Sequence, residues 1–201
     1  MSGPRLLPSR PPQRLILPLV RGLAALHVTP TAITVAGLAG NIVAAVLIGS
    51  GELLAGGVVM LLSSALDMLD GALARETGRA SPFGALFDSV VDRISESVVL
   101  FGVLVYTTGQ GDREQTLLVF GALAGSLLVS YVRARTEGLG ATMTAGLFTR
   151  PERVILLAVG LIFDWMRVVL WVLAVLTALT TLQRLYIGGR AVLDQSREER
   201  P

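Results

Sequence analysis

Apolar stretches, most of them about twenty residues and long enough to cross a bilayer, follow one another along most of this chain, separated by short polar turns. The first runs from Thr31 to Ile48 and ends at S-G-E. The second begins near Leu53 and runs into a polar segment around residue 67. The third covers Pro82 to Tyr106 and is closed by T-T-G-Q-G-D-R-E. The fourth covers Gln115 to Tyr131 and continues with helical character through V-R-A-R-T-E into a glycine-rich loop, G-L-G-A-T-M-T-A-G-L-F. The fifth, Arg150 to Phe163, is parted from the sixth, Met166 to Tyr186, by D-W-M-R. Backbone groups in hydrocarbon must be satisfied within the segment, so runs of this kind read as helices. The pattern predicts an all-α integral membrane protein with about six transmembrane helices in a membrane domain over residues 31–190. A charged, frayed tail is expected over 191–201.

Residues 1–30 read differently. M-S-G-P-R-L-L-P-S-R-P-P is proline-rich and expected to be irregular, without the long apolar core of a cleaved signal peptide. Gln13 to Leu26 interleaves Arg14 and Arg21 with leucines and valine, the pattern of an amphipathic helix lying in the membrane interface, with Pro18 as a kink. His27, the single histidine, reads as an interfacial side chain. Pro30 suits the first position of the following helix, with Thr29 or Thr31 as its cap. Asn41 reads as a helix–helix hydrogen-bonding residue.

Composition agrees with the pattern. Of 201 residues 52% are hydrophobic, and net charge is only +2. Cysteine is absent, which removes disulfides and thiolate metal sites. Every one of the 17 basic residues is arginine, and they flank apolar runs without clustering on a soluble face, which argues against nucleic acid. With six spans both termini share a side. That side collects Arg5, Arg10, Arg14, Arg21, Arg75, Arg79, Arg133, Arg135, Arg150, Arg153 and the tail arginines, against Arg113 and Arg167 opposite. The positive-inside rule then assigns both termini to the cytoplasm of a cell-membrane protein.

One polar segment stands out: D-M-L-D-G-A-L-A-R-E-T-G-R-A-S-P-F-G-A-L-F-D-S-V-V-D, from Asp67 to Asp92. An ionised carboxylate near the bilayer centre costs roughly 2.5–3.5 kcal/mol, so its aspartates need cationic compensation. Asp67 and Asp70 are i and i+3; Asp88 and Asp92 are i and i+4; each pair shares one helix face. Gly78 and Pro82 break the chain between them. Two antiparallel helices joined there bring four carboxylates to one cleft, a set suited to one or two hard divalent cations, Mg²⁺ or Mn²⁺. Gly71 and Gly84 keep side chains out of its way. The alternative is a buried ion-pair network in which Arg75, Arg79 and Arg93 neutralise the aspartates.

D-x-x-D-G-x-x-A-R, eight residues, then G-x-x-x-D-x-x-x-D resembles the signature of the CDP-alcohol phosphatidyltransferase family, matched at Asp67, Asp70, Gly71, Ala74, Arg75, Gly84, Asp88 and Asp92. The resemblance implies a membrane enzyme, often a homodimer, that transfers a phosphatidyl group from a CDP-linked lipid to an alcohol and releases CMP. It implies metal on Asp67, Asp70, Asp88 and Asp92, with Asp92 also the general base. It implies a nucleotide pocket of Thr34, Asp67, Gly71, Ala74 and Arg75. The family often has a proline–asparagine pair before the first span; here Thr31 follows Pro30, and Thr34 is kept.

A second constellation surrounds the glycine-rich loop: Arg133 and Arg135 before it, Arg150 and Arg153 after it. Guanidinium forks bind phosphate in a two-pronged way, so these four are candidates for a phosphorylated acceptor. Singly, each also fits a positive-inside residue. S-Y-x-x-A-R-x-E-x-x-G and R-P-E-R resemble the prokaryotic enzymes that join inositol phosphate to a CDP-linked diacyl or ether lipid. Glycerol 3-phosphate, as in phosphatidylglycerophosphate synthases, is the alternative acceptor. Readings of another class are a small ion or solute transporter and a non-catalytic scaffold.

Overall fold

The computed structural model describes residues 13–143 and 146–198. They form α1 (Gln13–Ala25), α2 (Pro30–Gly49), α3 (Leu53–Glu76), α4 (Pro82–Gly109), α5 (Arg113–Gly138), α6 (Arg150–Ile162) and α7 (Met166–Glu198), with no strand among the described residues. The expected irregular start, before Gln13, lies outside them.

Local chemistry sets the boundaries. Thr29 caps α2, its hydroxyl accepting from the Ala32 N–H, and Pro30 opens the first turn. Ser81 and Pro82 do the same for α4. Gly51, Gly78, Gly111 and Gly140 take positive φ where helices end. Asp164 supplies the left-handed residue in D-W-M-R, so the fifth and sixth apolar runs are two helices. His27 is exposed in the α1–α2 turn, also with positive φ.

The helices α2, α3, α5 and α7 are each long and apolar enough to cross a bilayer. Two of the six expected spans differ. The first half of α4 carries Asp88, Asp92, Arg93 and Glu96, and only its second half is continuously apolar. In α6 there are 13 residues, a rise of about 20 Å against a hydrocarbon thickness of about 30 Å. The residues expected as a frayed tail from 191 continue α7 to Glu198, and Gly188 and Gly189 do not interrupt it.

The core forms where α2 packs on α3 and α4, α5 on α7, and α6 on both α3 and α7. A smaller cluster of Val20, Ile33 and Leu73 fixes α1 against α2 and α3. Close approach rests on small residues: a Cβ on Gly102 would overlap the Ala45 backbone, and one on Gly125 would strike Thr177. These glycines are therefore used inside the protomer. The Asn41 amide donates to the Gly37 carbonyl one turn back, within α2 and not to another helix. At the far end Arg167 pairs with Asp112 and Glu114, tying the α6–α7 turn to the start of α5. The opposite end gathers the start of α2, the α3–α4 turn, the end of α5 and the start of α6.

Candidate active site

The α3–α4 turn brings the two aspartate pairs together. A cleft of about 470 Å³ opens there, lined by Thr34, Asp70, Gly71, Ala74, Arg75, Gly84 and Asp88 among others. Four positions implied by the resemblance for the nucleotide, Thr34, Gly71, Ala74 and Arg75, thus share one wall with Asp70 and Asp88. Asp70 is held firmly. Its Oδ2 accepts from the Thr34 hydroxyl at 2.6 Å and its Oδ1 from the Gly71 N–H at 2.5 Å. Thr34 joins the site through Asp70, one turn into α2.

Asp67 faces away from that wall, toward α2 and α6. Its side chain is 3% exposed. Oδ2 accepts from Arg150 Nη2 at 2.9 Å, while Oδ1 is buried without a partner. A Cβ on Gly37 would collide with Oδ1, so the carboxylate sits where only glycine leaves room. Asp92 meets the other prong of the same arginine, Oδ1 to Nη1 at 2.6 Å. One guanidinium therefore spans both halves of the motif. The cation bridging the aspartates is Arg150, where the ion-pair alternative named Arg75, Arg79 and Arg93. Arg75 and Arg79 line the cleft, and Arg93 turns to Ser89 on its own helix.

The four arginines around the glycine-rich loop have separate tasks. Arg150 is in the aspartate cluster. Arg153 is 3% exposed and grips Glu96, with Nε to Oε1 at 2.6 Å and Nη2 to Oε2 at 2.8 Å. Arg133 pairs with Glu137 at 2.9 Å on the surface of α5, and Arg135 is exposed two residues on. Glu152 holds the start of α6 by accepting the Thr149 N–H at 2.9 Å. The sequence reading had overlooked Glu96 and Gly37. Glu96 carried a signal, being one helical turn past Asp92 on the same face of α4. Gly37 carried none, since its partner is on another helix.

A divalent ion can be tested against these residues. Two aspartate pairs reach one end of the bundle, and a buried oxygen of Asp67 lacks a partner. All the donors are hard oxygens. The residues fit such an ion, with Asp67, Asp70, Asp88 and Asp92 as its holders. Among the described residues no three acidic side chains stand close enough to hold one as they are; Arg150 lies between Asp67 and Asp92.

The family model for CDP-alcohol phosphatidyltransferase matches residues 27–183, which hold the whole cluster. The chain belongs to that family. It is accordingly a phosphotransferase embedded in a membrane. Among related CDP-alcohol phosphatidyltransferases, a phosphatidylinositol phosphate synthase of Mycobacterium marinum is 38% identical over 185 residues, 86% of this chain and 79% of the relative. An archaetidylinositol phosphate synthase of Pyrococcus horikoshii is 34% identical over 165 residues, 82% and 85% of the two chains. The phosphatidylinositol phosphate synthase of Mycobacterium tuberculosis, solved with CDP-DAG bound, superposes with a TM-score of 0.81 at 34% identity, covering 89% of this chain and 94% of that one. The same enzyme in complex with manganese and citrate gives 0.79 at 35% identity, covering 85% and 87%.

Proposed function

We propose that this enzyme transfers a phosphatidyl group from a CDP-linked lipid to inositol phosphate, releasing CMP. The observation that carries the reading is the convergence of Asp67, Asp70, Asp88 and Asp92 at one end of the bundle, beside a cleft walled by Thr34, Gly71, Ala74 and Arg75. The acceptor rests on the relatives' named products and on the S-Y-x-x-A-R and R-P-E-R segments.

In this reading Asp67, Asp70, Asp88 and Asp92 would hold one or two Mg²⁺ or Mn²⁺ ions. A bound divalent ion supplies neutralising charge to the transferring phosphoryl group and to the departing CMP. Gly71 and Ala74 leave room for base and ribose, Arg75 meets phosphate, and Thr34 keeps Asp70 oriented. The acceptor hydroxyl oxygen bonds to the phosphatidyl phosphorus as the bond to CMP breaks, and its proton passes to Asp92. Arg133, Arg135 and Arg150 meet the acceptor's phosphate, with Arg153 anchoring the helix of Arg150 through Glu96. The cleft faces the cytoplasm, where a soluble acceptor arrives, while the lipid enters sideways from the bilayer. Two copies pair into a homodimer, to be read from the mass of the purified particle.

The test is CMP release by purified protein with CDP-diacylglycerol and Mg²⁺ or Mn²⁺, offering inositol 1-phosphate, glycerol 3-phosphate, serine or inositol. Metal-dependent release with inositol 1-phosphate alone is expected. Release with glycerol 3-phosphate instead would replace the acceptor and keep the chemistry.

A further inference from the structure

We infer that Arg150 is the internal stand-in for the metal. In the metal-free protein it neutralises Asp67 and Asp92, and it must release them as a divalent ion binds. The inference rests on the aspartates being the metal site.

The guanidinium reaches both halves of the aspartate motif from a third helix, at 2.9 Å to Asp67 on α3 and 2.6 Å to Asp92 on α4. Its side chain is 24% exposed. Carboxylates this far from water need a positive partner at all times, and arginine supplies one that cannot vanish by losing a proton. The fit is incomplete, however. Arg150 Nε and Asp67 Oδ1 are both buried without partners. A side chain selected only to close this ion pair would leave neither. Two polar atoms orphaned on the two sides of one salt bridge mark a place where a different cation satisfies the carboxylate better.

The exchange follows from charge and space. A divalent ion on Asp67 meets the charge of Arg150 at an oxygen only 2.9 Å from it, and like charges at that separation repel strongly in a medium of low dielectric. Beside Arg150 lies an internal pocket of about 20 Å³, lined also by Ser95, Glu96, Asn41 and Ser126. That is room for about one water, and the Ser95 hydroxyl inside it has no protein partner. An unpartnered hydroxyl, that of Ser95, thus lines the same pocket as Arg150. Once the guanidinium is withdrawn from the aspartates, its charge is no longer cancelled and can meet an anion. Metal binding and the readiness of Arg150 for a phosphate are then one event, so the ion binds before the phosphorylated acceptor.

The experiment is Mn²⁺ binding alone, with no lipid or acceptor, followed by the loss of the free-ion EPR signal in wild type and Arg150→Gln. Removing a competitor tightens binding, and at least a tenfold lower Kd is expected for the variant. An unchanged or weaker affinity overturns the inference, because a residue that merely shapes the cleft would loosen the site when removed. Arg150→Lys keeps the charge but loses the fork, and should fall between the two; should Arg150→Gln fail to fold, a lysine variant no tighter than wild type also overturns it. If Mn²⁺ binds neither protein, the assignment of the aspartates as the metal site fails instead. Inositol 1-phosphate binding by wild type should in turn require Mn²⁺.

Discussion

Glu96 and Arg153 form a two-pronged ion pair at 2.6 and 2.8 Å, one helical turn deeper than the Asp92–Arg150 contact. The same two helices thus carry two rungs, an inner one sealed in the core and an outer one at the site. The inner rung fixes the start of α6, and with it Arg150, against α4.

Glu96→Ala leaves the Arg153 charge buried and unpaired, which costs on the order of 3–5 kcal/mol. A clear fall in the thermal midpoint of the detergent-solubilised protein is expected. Replacing both partners by methionine should recover much of that stability without restoring turnover, because the start of α6 is no longer registered to Asp92. Full recovery of CMP release in the double variant would show that the rung is structural only.

Asp67→Asn and Asp88→Asn should each lower CMP release on the order of 10²-fold or more, since charge stabilisation at the transferring phosphoryl group is lost. Chelation with EDTA should do the same to wild type, reversibly on adding Mn²⁺. Activity near wild type in either variant would remove these residues from the metal site.

Gly37→Ala tests the space behind Asp67. The added methyl meets Oδ1, so the carboxylate must turn or the helices must part. Overpacking of this kind costs about 1–3 kcal/mol, but a misplaced ligand costs more in rate, on the order of 10²-fold. Turnover should therefore collapse in a protein that still folds, and Mn²⁺ affinity should weaken. Gly22→Ala, where a Cβ meets nothing, is the control.

Asp112 gives a dependence on pH. It lies outside the membrane helices, and the Gln115 N–H and side chain, followed by Arg167, hold its carboxyl below the usual carboxylate range. A depressed value means stability that is present above the unfolded value and lost as pH falls through the folded one. Asp112→Ala should lower the thermal midpoint at neutral pH, and the difference from wild type should shrink as pH drops below the carboxylate range. A difference that persists unchanged into strong acid would argue that the charge of Asp112 contributes nothing.

Much of this fold could be read before the structure. Apolar runs and breakers located every helix, because Gly51, Gly78, Gly111 and Asp164 end them through backbone geometry that is local. The aspartates were legible for the same reason: i, i+3 and i, i+4 spacing fixes a face without knowledge of neighbours. What escaped were relationships between helices. Nothing near Arg150 in the chain says that its guanidinium spans Asp67 and Asp92, and nothing around Gly37 announces a carboxylate against it. The length of α6 was less legible, since its 13 residues open with Arg150, Pro151, Glu152 and Arg153 and its ends are set by two turns.

A last consequence concerns α7. Its 33 residues extend about 50 Å, against about 30 Å of hydrocarbon. Gln183 accepts the Leu147 N–H, so the part of α7 beyond it rises at the same end as the aspartates. The excess length is therefore a stiff post planted beside the reaction centre. A probe fixed near its top reports distance to the cleft and depth in the bilayer as a ruler would, which a floppy terminus could never do.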